Sequence, residues 1–329
     1  MKKSITLLSL LLVIFFTSCE TDFDVNAKWK DITIVYGLLN QNDTVHYIKI
    51  NKAFLGSGNA LQMALIPDSN LYDTAVLNVR LEGWQNNQLK VTHKLYPTTE
   101  IAKDSGTFYH PSQVLYKTNA QLDKSYLYKL FIENKKTGKI ISSETPLVQD
   151  VSIERPMGVW VNMNSDKETK AVFYSGKGGR LYQLVVRFHY KELEESSLDT
   201  IYRYVDLSFG EKKSNDLSGG DKMEIPYTPS DFFDRVNNLI LNNTSAPYNP
   251  ASVRFVGKVE FIIYVIGDEL NTYIEVNGPA TGVLMDKPDY TNIENGIGVF
   301  SCRYSTSKSL NLTAETITRL KTYEPLHFQ

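Results

Sequence analysis

Leu122-Asp-Lys-Ser-Tyr126-Leu-Tyr128-Lys-Leu130-Phe-Ile132-Glu-Asn134 is the stretch whose pattern decides the fold. From Tyr126 onward, Tyr128, Leu130 and Ile132 fall on one side of an extended chain, with Lys129 and Glu133 on the other. That period of two marks a strand with one buried face. Lys135-Lys-Thr-Gly138 supplies a turn, and Lys139 to Glu144 resumes the rhythm, so the pair reads as a β-hairpin. A tyrosine ring buried at the start of such a strand needs a partner for its hydroxyl.

Working back from this hairpin, further short strands arrive in quick succession. They are Ile32 to Tyr36, Val45 to Ile50, Val76 to Trp84, Leu89 to Tyr96 after the turn Gln85-Asn-Asn-Gln88, and Val114 to Tyr116. With the hairpin they make about seven strands separated by turn signals, the pattern of an immunoglobulin-like β-sandwich over residues 31–148. The quoted stretch resembles the ending of a fibronectin type III domain. That resemblance implies a tyrosine corner, with Leu122 four residues ahead of Tyr126 and the Tyr126 hydroxyl bonded back to the chain. Residues 56–73 interrupt the strands and carry Leu61, Met63, Ala64, Leu65 and Ile66, so a short helical turn packed on the sandwich is expected there.

Downstream, Thr145-Pro146 to Arg155-Pro156 breaks the alternation and reads as a junction. Residues 149–329 are expected to form a second, larger β-sandwich or barrel, built from longer strands over Leu181–Tyr190, Thr200–Phe209, Ser252–Ile266 and Gly296–Tyr304. Gly176-Lys-Gly-Gly179 lacks the Gly-Lys-Ser/Thr ending and the following helix of a phosphate loop, and reads as a hairpin turn. Two short helices are expected, near 229–241 and 314–321. The first would be capped by Thr228 with Pro229 at its first position, with Phe232, Phe233, Val236, Leu239 and Ile240 on one face.

Composition agrees with a mainly β protein. The chain has 329 residues, 42% apolar and 22% charged, with 20 Tyr and 15 Phe, residue types that favour strands. A formal net charge of -2 and the lack of a basic stripe make nucleic acid an unexpected partner. At the N-terminus, Lys2 and Lys3 precede an apolar run from Ile5 to Phe16, too short for a permanent span, and then Thr17-Ser18-Cys19. Residues 1–18 resemble a bacterial lipoprotein signal peptide, which implies lipid attachment (palmitate among the chains) at Cys19. Glu20, Asp22 and Asp24 make residues 19–30 an acidic tether. The two or three acyl chains of such an anchor hold far more firmly than one.

The residues carry little chemistry. None of the five His shares a metal-like spacing with another, no Cys-x-x-Cys occurs, and Gly-x-Ser-x-Gly is absent. His46 and His189 read as strand residues, and Cys302 as a small buried filler in an alternating strand. Glu192, Glu194 and Glu195 read as a solvated loop, and Asp216 to Asp221 has too few acids for a calcium cage. Trp84 and Trp160 are the candidate ligand contacts, able to stack on sugar rings if exposed. No metal, cofactor or catalytic residue is expected.

Cys19-Glu20, Val35-Tyr-Gly-Leu-Leu39, Tyr47-Ile-Lys-Ile-Asn-Lys-Ala-Phe54 and Asn292-Ile-Glu-Asn-Gly296-Ile-Gly298-Val-Phe300 resemble a family of Bacteroidota outer-membrane lipoproteins defined as a domain of unknown function. Such proteins are often encoded beside TonB-dependent receptors. The resemblance implies a lipid-anchored, non-enzymatic accessory of a nutrient-uptake system, on the cell surface or the periplasmic face, with a TonB-dependent receptor and a glycan or peptide ligand as partners. Two alternatives stand beside it. A fimbrial or adhesin subunit would need proteolysis near Lys28 or Lys30, and a glycan-active enzyme would need two carboxylates from distant strands.

Overall fold

A computed structural model describes residues 32–53, 60–106, 108–193, 200–278, 289–326 and 328–329. The signal peptide, Cys19, the acidic tether, Glu194 and Glu195 lie outside the described residues. The molecule is mainly β; its longer strands are those that alternation marks, while Ser152–Arg155, Trp160–Val161 and Lys222–Tyr227 are short strands beyond them.

The first half holds β1 (Thr33–Leu39), β2 (His46–Lys52), β3 (Leu77–Gln85), β4 (Gln88–Thr98), β5 (Leu115–Thr118), β6 (Leu127–Asn134) and β7 (Ile140–Pro146). They form two layers, β1-β2-β5 and β4-β3-β6-β7. Strand β4 belongs to both, pairing with β3 along most of its length and with β5 through Tyr96, Pro97 and Thr98. Asn86 and Asn87 turn the β3–β4 hairpin with φ of 51° and 59°, the left-handed pair a two-residue hairpin favours. Val35, Ile48 and Ile50 from one layer meet Val79, Leu81, Leu130 and Ile132 from the other, all buried. Each such side chain contributes roughly 1.5–3 kcal/mol on burial. This is an immunoglobulin-like sandwich.

The tyrosine corner is present, but on a different residue. The backbone N–H of Asp123 donates to the Tyr128 hydroxyl at 2.7 Å, whereas Tyr126 is only half-buried. The two rings lie on the same side of the chain, but β6 begins only at Leu127, so Tyr128 is its first fully buried residue and Tyr126 sits ahead of the strand at the edge of the core. In the insertion, helices α1 (Ala60–Ala64) and α2 (Pro67–Asn70) replace the single helical turn expected there.

The second half holds β8 (Ser152–Arg155), β9 (Trp160–Val161), β10 (Thr169–Tyr174), β11 (Gly179–Leu193), β12 (Thr200–Lys213), β13 (Lys222–Tyr227), β14 (Val253–Gly267) and β15 (Gly296–Leu312). Four long strands run in the order β12-β11-β14-β15, and β13-β10-β8 form a small separate sheet. Helix α3 (Asp231–Leu241) joins the small sheet over the inner face. Phe188 meets Phe232 edge-on at 5.3 Å, Tyr227 meets Phe261 at 5.7 Å and Phe173 lies 5.3 Å from Tyr182, centroid to centroid. Helix α3 begins at Asp231 rather than at Pro229, because Thr228, Pro229 and Ser230 form a tight turn whose carbonyls accept from Asp231, Phe232 and Phe233. Of its expected apolar face, Leu239 is exposed and the other four residues are buried. Helix α5 (Ala314–Thr322) lies where periodicity places it. Helix α4 (Asp268–Asn277), between them, was not anticipated: its apolar residues are too sparse to make a stripe.

The halves share a strand. Gly296–Cys302 of β15 runs parallel to Thr33–Leu39 of β1, and Arg303–Leu310 then pairs antiparallel with Val259–Ile266 of β14. One continuous sheet results, crossing the break expected near residue 148. Gly298 makes the crossing possible: at φ of 119° a Cβ would sit 2.0 Å from the Val35 carbonyl oxygen. The junction itself is packed, with Leu147, Val148 and Val151 all buried.

Candidate functional site

The outer face of the four long strands carries the candidate binding surface. Alternation along β11 buries Leu184, Val186, Phe188 and Tyr190, leaving Arg187, His189 and Lys191 facing out. Register then sets Asp206, Tyr204 and Tyr202 of β12 opposite these three in turn. On the other flank β14 contributes Glu260 opposite Arg187 and Phe255 opposite Lys191.

These neighbours hold one another in place. Arg187 makes a two-pronged ion pair with Asp206, at 2.7 and 2.8 Å, and lies 4.2 Å from the centre of the Tyr204 ring. Asp206 and the hydrogen bonds to it keep the guanidinium charged. Lys191 Nζ sits 5.1 Å over Tyr202, and His189 Nε2 lies 3.4 Å from Glu260, which also accepts from the Ser307 hydroxyl. Cations over tyrosine faces are mutually steadying at about 0.5–1 kcal/mol each.

Trp160 completes the surface. Strand β9 pairs in parallel with the end of β15, setting Trp160 beside Asn311. Trp160 is 59% exposed and Tyr202 is 76% exposed, and a groove of about 730 Å³ lies between them. Its floor includes His189, Gly257 and Asn311. Gly257 lets β14 come close to β11 at their register shift, since a Cβ there would stand 2.2 Å from the His189 carbonyl oxygen. Flat rings on the rim with hydroxyl, amide and imidazole groups beneath suit a ligand with both apolar faces and polar edges.

Trp84 is elsewhere. It lies half-buried on β3 in the first sandwich, donating to Glu82 at 3.0 Å, with Lys129 Nζ 5.3 Å from its ring centre. The two tryptophans are not brought together, and Trp84 is tied into the Arg80–Glu82 pair. Tyr202, Tyr204 and His189 are the contributors that sequence reading left out of the site. The signal for them was Tyr-x-Tyr inside an alternating strand, which fixes a shared face but not its neighbour.

Other groups fill structural places. Cys302 is buried, and burial pushes its thiol up to about 12, far from nucleophilic use at neutral pH. His46 is buried as well, with Nε2 3.1 Å from the Ala120 carbonyl, and burial lowers its pKa. Asp216 accepts from the Ser218 N–H, and the Asp221 N–H donates to Ser175, so the Asp216–Asp221 segment is a bonded turn. Glu192 is not a solvated loop residue: it is buried and paired with Arg254 and Arg203. Among the described residues no cluster of three His, Cys, Asp or Glu is placed to hold a metal, and no helix is long and apolar enough to cross a membrane.

No family model matches the chain, and no curated protein matches it. Among solved structures, a cytokine receptor complex chain aligns over 85% of this chain and 98% of its own, at 8% identity and a TM-score of 0.21. The C-terminal globular domain of an oligosaccharyltransferase from Pyrococcus abyssi aligns over 86% of this chain and 50% of its own, at 10% identity and a TM-score of 0.29. A three-immunoglobulin-domain segment of titin covers 87% of this chain and 65% of its own, at 11% identity and a TM-score of 0.18. Likeness at this level brings no activity, ligand or partner to the chain.

Proposed function

We propose that this protein is a non-enzymatic binding protein, anchored to the outer membrane by lipid at Cys19, that captures a glycan on its second sandwich for an uptake system. The observation that carries the reading is the groove between Trp160 and Tyr202, two highly exposed rings held at fixed positions by sheet register. Exposed aromatic rings on rigid strands cost little ordering entropy when a ring-shaped ligand stacks on them. The start of the chain, with its apolar run closing on Cys19 and the acidic residues after it, supports the anchor. The TonB-dependent receptor partnership rests on the resemblance of the motifs at residues 35–39, 47–54 and 292–300.

Affinity electrophoresis of the lipid-free protein through gels holding a panel of soluble polysaccharides tests the glycan reading. At least one polysaccharide is expected to retard the wild type, and Trp160→Ala with Tyr202→Ala to abolish the retardation with an unchanged unfolding midpoint. Wild-type mobility unaffected by every polysaccharide overturns it. Metabolic labelling with a radioactive fatty acid, lost in Cys19→Ala, tests the anchor, and co-extraction with a TonB-dependent receptor tests the partnership.

A further inference from the structure

A second cavity lies on the first sandwich, more than a groove and differently equipped. Strand β2 buries Ile48 and Ile50, so Lys49 and Asn51 point to the opposite face. That face is roofed by helix α2 and by Lys103, Phe108, Tyr109 and Gln113, around a space of about 260 Å³. The roof is firmly built: buried Asn70 donates to the Ala64 carbonyl at 2.9 Å, and the Tyr109 N–H donates to the same carbonyl at 2.9 Å.

Three lysines, Lys49, Lys52 and Lys103, line this space, and among the described residues no carboxylate does. Lys103 Nζ is fixed by donating to the Tyr109 carbonyl at 3.1 Å, and it stands 5.1 Å from the centre of the Phe108 ring. Lys49 has no ion-pair partner among the described residues. Burial, with Lys103 adding like charge, lowers its pKa. Asn51 Oδ1 is buried without a hydrogen-bond partner. Ile34, Leu71 and Phe108 supply apolar wall. Desolvated cations without a counter-charge are unfavourable unless something else brings one.

We infer that this cavity binds a small organic carboxylate with an apolar body, its carboxylate between Lys49 and Lys103 and a donor of its own on Asn51 Oδ1. The space matches a compact molecule or the terminal residue of a peptide, and both present the same carboxylate chemistry. This site is separate from the Trp160 groove and does not depend on the glycan reading.

Saturation-transfer NMR on the wild type, with N-acetyl-phenylalanine, 4-hydroxyphenylacetate and indole-3-acetate as probes, tests the inference. At least one is expected to bind in the micromolar to low millimolar range, and its neutral amide analogue at least tenfold more weakly. Lys49→Met with Lys103→Met is expected to weaken the carboxylate at least tenfold and leave the amide unchanged. A peptide of four glycines ending in phenylalanine separates the sources: binding as tight as N-acetyl-phenylalanine assigns a chain terminus, and loss of binding assigns a free small molecule. Equal binding of acid and amide, silence from all three probes, or full binding by the double variant overturns the inference. The acid–amide comparison needs no variant, so it stands even if the double variant folds poorly.

Discussion

Arg254 and Lys49 are both cations drawn away from water, and the chain treats them in opposite ways. Arg254 is 0% exposed. Its Nη2 donates to Glu192 at 2.6 Å and to the Asn249 carbonyl at 3.0 Å, and its Nη1 donates to the Leu326 carbonyl at 3.0 Å. The guanidinium lies 4.6 Å from the centre of the Tyr248 ring, and Arg203 adds a second cation to Glu192. Lys49 has none of this and faces a space lined by two more lysines. The difference teaches where to look for function in a chain without catalytic signatures. A charge answered from within holds the fold together, while one left unanswered beside a cavity is equipped for something from outside.

The sharpest way to break the comparison is to remove the answered charge. Arg254→Met leaves Glu192 buried against Arg203 alone and frees the C-terminal segment, whose Gln329 N–H donates to the Arg254 carbonyl and whose Leu326 carbonyl loses its donor. A loss of about 3–5 kcal/mol is expected, read as a lower urea midpoint. The amide of Gln329 should lose exchange protection at the same time. A loss below about 1 kcal/mol would show that Arg254 is incidental and that its partners say nothing about its role.

A second, smaller effect concerns a neutral group answered from within. Tyr128→Phe removes the acceptor of the Asp123 N–H from a buried ring and should cost about 1–2 kcal/mol, while Tyr126→Phe should stay within about 0.5 kcal/mol. Equal losses in the two variants would return the corner to Tyr126.

That pair also measures what the sequence made legible. Strands were readable because one-sided burial imposes a period of two, as in β6 with Tyr128, Leu130 and Ile132 facing in. Tyr126 and Tyr128 share the phase of that period, so which of them forms the corner depends on where the strand begins, and a fixed spacing from Leu122 does not locate that start. Helices α3 and α5 announced themselves through apolar faces, while α4 has no such stripe. The strand shared between the halves was hidden because β15 pairs first with β1 and then with β14, a change of partner that no local pattern records. Trp160 was legible as a candidate by residue type, but its partner Tyr202 was not. Their proximity comes from two separate pairings, β9 with β15 and β11 with β12, that no local pattern encodes. The lysine cavity was invisible for the same reason, since Lys49 and Lys103 sit 54 positions apart on a strand and a roof segment.

The smallest expected effect has the opposite sign and sharpens the comparison most. Lys49→Met removes a partly desolvated cation that has no counter-charge among the described residues, so it should raise stability by about 0.5–1 kcal/mol at neutral pH rather than lower it. The sign follows from linkage. The folded-state pKa of Lys49 lies below the unfolded value of about 10.4, so between the two the unfolded chain binds more protons and wild-type stability rises with pH. The advantage of the variant should therefore be full below that window and shrink as pH rises through it. Tyr36 also faces the cavity, but its hydroxyl is pushed up to about 12 and keeps its proton there. Urea midpoints of both proteins at pH 7 and pH 10 check this, and a gap that widens with pH would mean that Lys49 is answered by a carboxylate after all. A saturating small carboxylate at pH 7 should close the same gap from the other side, by stabilising the wild type and leaving Lys49→Met nearly unmoved.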